Sequence, residues 1–450
     1  MLEIRYIIQY LLIGIIALQV IRKKMTLLQA YAFFIPFFGI DYDIGVRYTI
    51  SQLILFLLNA SFLITAFTNT RLLQLKGLNG NVIFFLLYAF VSAFLLSSFV
   101  INFIPTKNPG FLRNEGRYIS QIINFSLLFS IFYIAYYHIK SLNDVYSLLK
   151  YFIYGIIVTS SIGIMQEIVF VFTSVDITPL ALDKSNIRTA GSFDYFDIPM
   201  IRICSLSGEP KSLGMYATLG IILIHVLNTL QLKLFKRQSL FSVLFIVTLI
   251  LTLSSSGFIL LAILWVLSEI ILRYFQLLPR ISTAKFFSWI VIGIVIVTFS
   301  GPLDDIINDR VTERDKIEDF DAVIIKGLKE NPQYIIYGSG LGNIHNIAAP
   351  YINQFENLGF MEGSIFVAKS GYLRIISETG VIGFLLFLFF NAQIIVNAFY
   401  SYNKYKLTVY ALFATLSILA LVSYLARTYV TEFYLLMMAI ANTLYKKQLY

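Results

Sequence analysis

Charge is scarce in this chain. Only 13% of its 450 residues are Asp, Glu, Lys or Arg, where a soluble domain carries about 25%. Hydrophobic residues make up 58% and mean hydropathy is +0.78. No water-soluble fold hides that much apolar surface, so lipid is the expected solvent for most of the chain. Cysteine is nearly absent: Cys204 alone excludes an intramolecular disulfide and a cysteine-based zinc cluster. The three histidines, His138, His225 and His345, do not cluster in the sequence, which argues against a histidine metal site. Asp304, Asp305 and Asp309 lack a defined loop spacing, so no required metal and no cofactor are expected. The glycine run Gly338, Gly340 and Gly342 is not followed by Gly-Lys-Ser/Thr, which excludes a phosphate-binding P-loop. No internal repeat stands out, so an inverted-repeat transporter gets no support. Residues 1–21 lack a basic leading region and a small-residue cleavage site, and the first apolar block is expected to stay as a helix.

What the chain does have is apolar blocks. Thirteen fall near residues 4–21, 27–40, 48–67, 82–104, 119–137, 146–172, 213–232, 240–253, 258–272, 286–299, 372–399, 407–425 and 429–444. Blocks of this length favour helices over the alternating ten-residue strands of a barrel. Backbone groups in lipid must be satisfied internally, which makes each block a helix. The expected fold is an all-α polytopic membrane protein, a single membrane domain over 1–450 with about thirteen crossings (twelve to fourteen). The second and eighth blocks are the least secure.

Basic residues set the orientation. Seventeen of the thirty-four Lys and Arg lie in alternate short connectors, at Arg22-Lys23-Lys24, Arg71 and Lys76, Lys140 and Lys150, Lys233, Lys236 and Arg237, Arg273, Arg280 and Lys285, Lys404 and Lys406, and Lys446-Lys447. The intervening short connectors hold Arg47, Arg427, or nothing at 254–257. The positive-inside rule then places the N-terminus outside and the C-terminus in the cytoplasm. The net charge of +9 is largely this topology signal, and no nucleic-acid partner is expected.

Two outside loops are long, 173–211 and 301–371. The second holds eleven acidic and six basic residues. Within it, Ile317, Phe320, Val323, Ile324, Gly327 and Leu328 recur at helical spacing over 312–331. Asn331-Pro332 ends that helix. It is expected to lie along the membrane surface against the mouth of the bundle, as part of a folded lid. Gly338 to Gly342 reads as a tight turn.

Cations in these loops run against the orientation rule. Long loops translocate regardless of charge, so tolerance is the plain reading; the sharper one is that they bind an anion. Arg202 precedes the seventh helix, Arg314 opens the surface helix and Arg374 sits two residues into the eleventh. Arginine binds phosphate through a planar fork and stays charged at any pH. Three rim arginines from separate segments could converge on one polyanionic group; each alone could equally pair with a carboxylate or snorkel to headgroups. Glu209 stands before Pro210 and so has extended backbone. It could act as general base on a hydroxyl or pair with Arg202 or Lys211. Glu167, late in the sixth helix, is a reserve carboxylate. Arg188, Lys211, Tyr216, His345, Lys369 and Tyr372 complete the candidate substrate contacts, and a loop histidine such as His345 is as readily a solvated one.

Three stretches then carry a resemblance. Arg202 and Ser205, Glu209-Pro210, and Gly214 with Tyr216 resemble the Glu-Pro stretch that enters a membrane helix in bacterial O-antigen polymerases. Glu330-Asn331-Pro332 followed by Gly338, Gly340 and Gly342 resembles the end of that family's large periplasmic loop. Ser370-Gly371-Tyr372-Leu373-Arg374 through Glu378, Gly380 and Gly383 resembles the family's closing signature. The resemblance to the O-antigen polymerase and ligase superfamily covers roughly residues 200–390. It implies a GT-C-like fold in the inner membrane, and a glycosyltransferase that moves a glycan from undecaprenyl pyrophosphate onto the next lipid-linked repeat unit at the periplasmic face. Donor and acceptor would both be undecaprenyl-pyrophosphate-linked glycans, with a chain-length regulator as a further partner. Under this reading Glu209, Arg202 and Arg314 are catalytic. Ligases of the superfamily carry a histidine nine residues before the closing glutamate, where this chain has Lys369, and an arginine in a short turn where this chain has Ser254-Ser255-Ser256-Gly257. Both departures favour the polymerase. A ligase transferring polymer to lipid A-core, and a non-enzymatic flippase of the same lipid-linked units, stand as alternatives.

Overall fold

A computed structural model describes residues 13–15, 17–22, 24–43, 47–68, 79–99, 104, 116–177, 192–195, 198–277, 321–354 and 368–449. Among them run α1 (Leu27–Phe34), a hairpin of β1 (Asp41–Asp43) and β2 (Arg47–Thr49), α2 (Ile50–Thr68), α3 (Gly80–Phe99), α4 (Arg117–Phe129), α5 (Ile131–His138) and α6 (Leu142–Thr173). A second hairpin of β3 (Ser192–Tyr195) and β4 (Ile198–Ile201) precedes α7 (Pro210–Thr229), α8 (Gln238–Thr252) and α9 (Ser255–Tyr274). A helix α10 covers 321–330. Then come α11 (Gln333–Tyr337), α12 (Ile344–Ala348), α13 (Gly371–Tyr405), α14 (Thr408–Ala426) and α15 (Thr431–Lys447).

The chain is an all-α polytopic membrane protein with two small hairpins. Seven of the described helical segments are long and apolar enough to cross a membrane, including α4 and α5 taken together as Arg117–His138. Two shorter apolar helices, at Ile50–Thr65 and Gln238–Thr252, stand beside them. The second apolar block behaves differently from its expectation. Only eight of its residues are helical, in α1, a length of about 12 Å against the ~30 Å of a bilayer core. Its Thr26–Gln29 capping box starts the helix. The chain then turns back at Ile35–Gly39 into the hairpin. The tenth block, 286–299, lies outside the described residues.

Burial sorts the helices. Between Pro210 and Leu227 of α7 every residue except Lys211 and His225 is buried, and Glu432–Leu444 of α15 is buried throughout. Of the neighbouring helices, α8 and α9 pack on α7, and α5, α13 and α14 pack on α15. On the periphery, Phe84 and Leu87 of α3 and Phe389 and Val396 of α13 are exposed. A helix that is apolar on its outward face as well as its inward one is suited to lipid contact.

Connectors gather at two ends of this bundle. At one end Lys447 Nζ donates to the Ile139 carbonyl (2.7 Å) and Tyr402 Oη to that of Phe275 (3.2 Å). These are connectors that the basic-residue alternation puts on one face. At the other end the 201–208 segment, the Thr252–Ser254 turn, residues 369–370 and Arg427–Thr428 come together.

α13 is broken at Gly380, whose φ of 69° and ψ of −177° interrupt the helix. The break frees carbonyls that would have accepted from the next turn. Residues 338–342 fill the gap: the Ser339 and Gly340 N–H groups donate to the carbonyls of Ser377 and Glu378, both at 2.8 Å. Close approach demands glycine here. A Cβ at Gly338 would meet the Glu378 carbonyl oxygen at 2.4 Å, and one at Gly380 would meet that of Ile336 at 2.3 Å. The glycine run is therefore a docking strip buried in the bundle rather than a plain turn. Gly380→Ala is expected to destabilise the protein by roughly 1–3 kcal/mol from its backbone conformation alone, read as a lower melting temperature in detergent; an unchanged melting temperature would mean the break is not built on Gly380.

The amphipathic helix expected over 312–331 is seen over 321–330; residues 312–320 lie outside the described ones. Val323, Ile324 and Leu328 are buried in a small second core with Ile344, Ile347, Leu96 of α3 and Leu373 of α13. Lys326 and Glu330 pair on its exposed side at 2.7 Å. The helix thus packs on loop and bundle residues along its apolar face.

Candidate functional site

Glu209 N-caps α7 with φ −133° and ψ 140°, extended as the following proline requires, and Pro210 occupies the first helical turn. The segment leading into it is held from α6. Glu167 accepts from the Ile201 N–H (3.3 and 3.4 Å to its two oxygens). Gln166 accepts from the N–H groups of Cys204 (3.2 Å) and Ser205 (3.1 Å). The reserve carboxylate Glu167 is thus buried and spent on backbone. These anchors position Arg202, whose Nε donates to the Thr252 carbonyl at 3.3 Å.

Lys369 arrives from the second loop on a clamped peptide. Its N–H donates to Asp321 Oδ1 of α10 (3.1 Å), and its carbonyl accepts from the Thr428 N–H (3.0 Å) and hydroxyl (3.3 Å). The other Asp321 oxygen accepts from the Ser370 hydroxyl at 2.9 Å. Lys211, in the first turn of α7, lies within electrostatic range of Lys369, Arg427, Glu209 and Arg202. All five residues are half-buried. Four cations and one carboxylate from three separated stretches therefore meet at one end of the bundle. With Asp321 counted, four cations and two carboxylates stand together among the described residues, in a partly dehydrated setting, where oxyanion binding is strongest.

Of the other candidates, Arg188 and Arg314 lie outside the described residues. Tyr216 is buried, and its hydroxyl donates to the Tyr429 carbonyl at 3.0 Å. It holds the turn that carries Arg427 and offers nothing to a substrate, a correction to its expected role. Tyr372 is exposed on α13. Arg374 is not at this cluster's rim as expected: it pairs with Glu378 one turn on (Nε to Oε2, 3.5 Å), and its Nη2 donates to Gln121 (3.4 Å). That is the carboxylate pairing left open for each arginine. His345 is buried beside Arg117, and burial together with that guanidinium pulls its pKa down to about 4. It is neutral at physiological pH and adds no charge to bind an anion.

Two members of the cluster escape a one-dimensional reading. Arg427 stands in a short connector and reads only as a topology residue. Asp321 is one acid among eleven in its loop. A carboxylate that holds the peptide of another element has no local sequence signature.

No protein-family model matches the chain, and a search of characterised proteins finds no match either.

Proposed function

We propose that the chain is a glycan polymerase. It joins oligosaccharide repeat units carried on undecaprenyl pyrophosphate, for O-antigen or a related surface polysaccharide, at the outer face of a bacterial inner membrane. The fuller architecture in this reading has about thirteen crossings in a GT-C-like arrangement, with the N-terminus periplasmic and the C-terminus cytoplasmic. The observation that carries the reading is the convergence of Arg202, Glu209, Lys369 and Arg427 on Lys211 at one bundle end.

The chemistry follows from that geometry. Glu209 takes the proton from a sugar hydroxyl of the acceptor unit. The oxygen attacks the anomeric carbon of the donor glycan, and the bond from that carbon to the pyrophosphate oxygen breaks. Negative charge grows on the leaving pyrophosphate, and the cation cluster stabilises it without a water shell that must reorganise. The lipid tail stays in the bilayer. Products are the lengthened lipid-linked glycan and free undecaprenyl pyrophosphate.

Lys369 acts only if its peptide is held, and Asp321 holds it. Asp321→Ala is expected to cut polymer yield about tenfold, the equivalent of one charge-assisted hydrogen bond of roughly 1.5 kcal/mol. Asp321→Asn keeps an acceptor for the Lys369 N–H and restores most of the yield. Equal loss in both variants, at equal protein level, would contradict a positioning role. The function itself is tested by deleting the gene and running the lipopolysaccharide on a gel. A single repeat unit on the core supports the polymerase. Polymer held on the lipid carrier indicates a ligase, and loss of all outer-face glycan indicates a flippase; either one refutes the proposal.

A further inference from the structure

A second pair of cations lies apart from this cluster, across the first turn of α13. Arg117 opens α4, Arg374 opens α13, and among the described residues the only carboxylate between them is Glu378, which pairs with Arg374. Glu378 also accepts from the Gly342 N–H at 3.3 Å. Arg117 lies in the fields of both Arg374 and Glu378. Its Nη1 is buried with no hydrogen-bond partner, and among the described residues it forms no ion pair. The start of α4 has no side-chain cap at Gly116, so its first N–H groups add positive potential at the same place. Among the described residues two guanidiniums share one carboxylate, which leaves one positive charge in excess there, and a buried charge of that kind calls for a counter-ion.

The geometry points to a second oxyanion site, at Arg117 and Arg374, that takes the diphosphate head of a lipid-linked substrate. The inference rests on the polymerase reading for the identity of that substrate. Joining two lipid-linked units brings two diphosphates to the same face at once. The donor's leaving diphosphate belongs to the Arg202–Lys369 cluster, and the acceptor's, which is not cleaved, belongs here. The cavity beneath Arg374, lined also by Tyr424 and Thr431, is only about 20 Å³, room for one water. A diphosphate does not fit there, which leaves the side of the two arginines away from that void.

The test is stoichiometric. Purified full-length protein in neutral detergent is titrated with farnesyl pyrophosphate, a short lipid diphosphate. The wild type is expected to bind two per chain. Arg117→Gln is expected to bind one, or its second to weaken at least tenfold, and Arg117→Lys is expected to restore two. The double variant Arg202→Ala/Lys369→Ala is expected to bind one, at Arg117. Two equivalents bound by a folded Arg117→Gln protein would overturn this inference while leaving the first cluster standing. Two bound by Arg202→Ala/Lys369→Ala would instead remove the first cluster from the reaction. Loss of phosphatidylglycerol binding in Arg117→Gln, with farnesyl pyrophosphate still bound twice, would make the site one for bilayer headgroups and overturn its assignment to substrate.

Discussion

Arg202→Ala is expected to abolish long glycan chains while single repeat units still reach the cell surface, at unchanged protein level. Arg202 donates to the Thr252 carbonyl and shares its corner of the bundle with Lys211, Lys369 and Arg427. Removing one such donor from a site where charge develops costs about 2.7–4 kcal/mol, or roughly a hundred- to a thousandfold in rate. Chains that lengthen by repeated addition magnify such a loss, because every step is slowed. The fold should survive, since the 201–207 segment is anchored by Glu167, Gln166 and the Ser205 hydroxyl, not by Arg202. A ladder on a lipopolysaccharide gel checks this. A normal ladder from Arg202→Ala and Lys369→Ala alike would remove the cluster from catalysis.

Arg374→Ala is expected to fail in a different way. Its guanidinium pairs with Glu378, and the same carboxylate accepts from Gly342 in the strip that docks on the broken helix. Taking away one partner of a buried pair costs about 3–5 kcal/mol where the other charge is left uncompensated; Arg117 stays beside Glu378, which holds the loss to the low end of that range. That is a large share of a typical folding free energy. The expected result is a protein that reaches the membrane poorly and melts early in detergent. Arg374→Ala/Glu378→Gln, which also takes the carboxylate away from Arg117, should melt no later than the single variant. A single variant that melts like the wild type would show that the pair contributes little, and that Arg374 acts on substrate alone.

These two arginines read alike in the sequence, each at a helix entrance among outside cations. What separates them is packing. Alternation of Lys and Arg among short connectors is a local signal, so the grouping of connectors at two bundle ends could be read residue by residue. Which connectors touch depends on helix adjacency, which one-dimensional hydropathy does not carry. Arg427 and Asp321 were invisible as site residues for that reason. The Gly338–Gly342 strip was legible as glycine-rich, but its purpose depends on the break at Gly380, forty residues away, which only closure of the fold supplies. The eight-residue α1 is hidden inside an apolar block because its turn, Ile35 to Gly39, is itself apolar and, Phe38 apart, buried. By contrast the extended Glu209 and the apolar face of 321–330 follow from rules acting over four residues or fewer, and both stand where the sequence puts them.

The most direct test uses purified protein reconstituted into liposomes with one lipid-linked repeat unit as the sole glycan. The polymerase reading predicts a ladder of glycans in multiples of that unit, with one free undecaprenyl pyrophosphate released for each bond formed and no ladder from Arg202→Ala. A folded wild-type protein that leaves the repeat unit unchanged, or releases diphosphate without lengthening any chain, would contradict it.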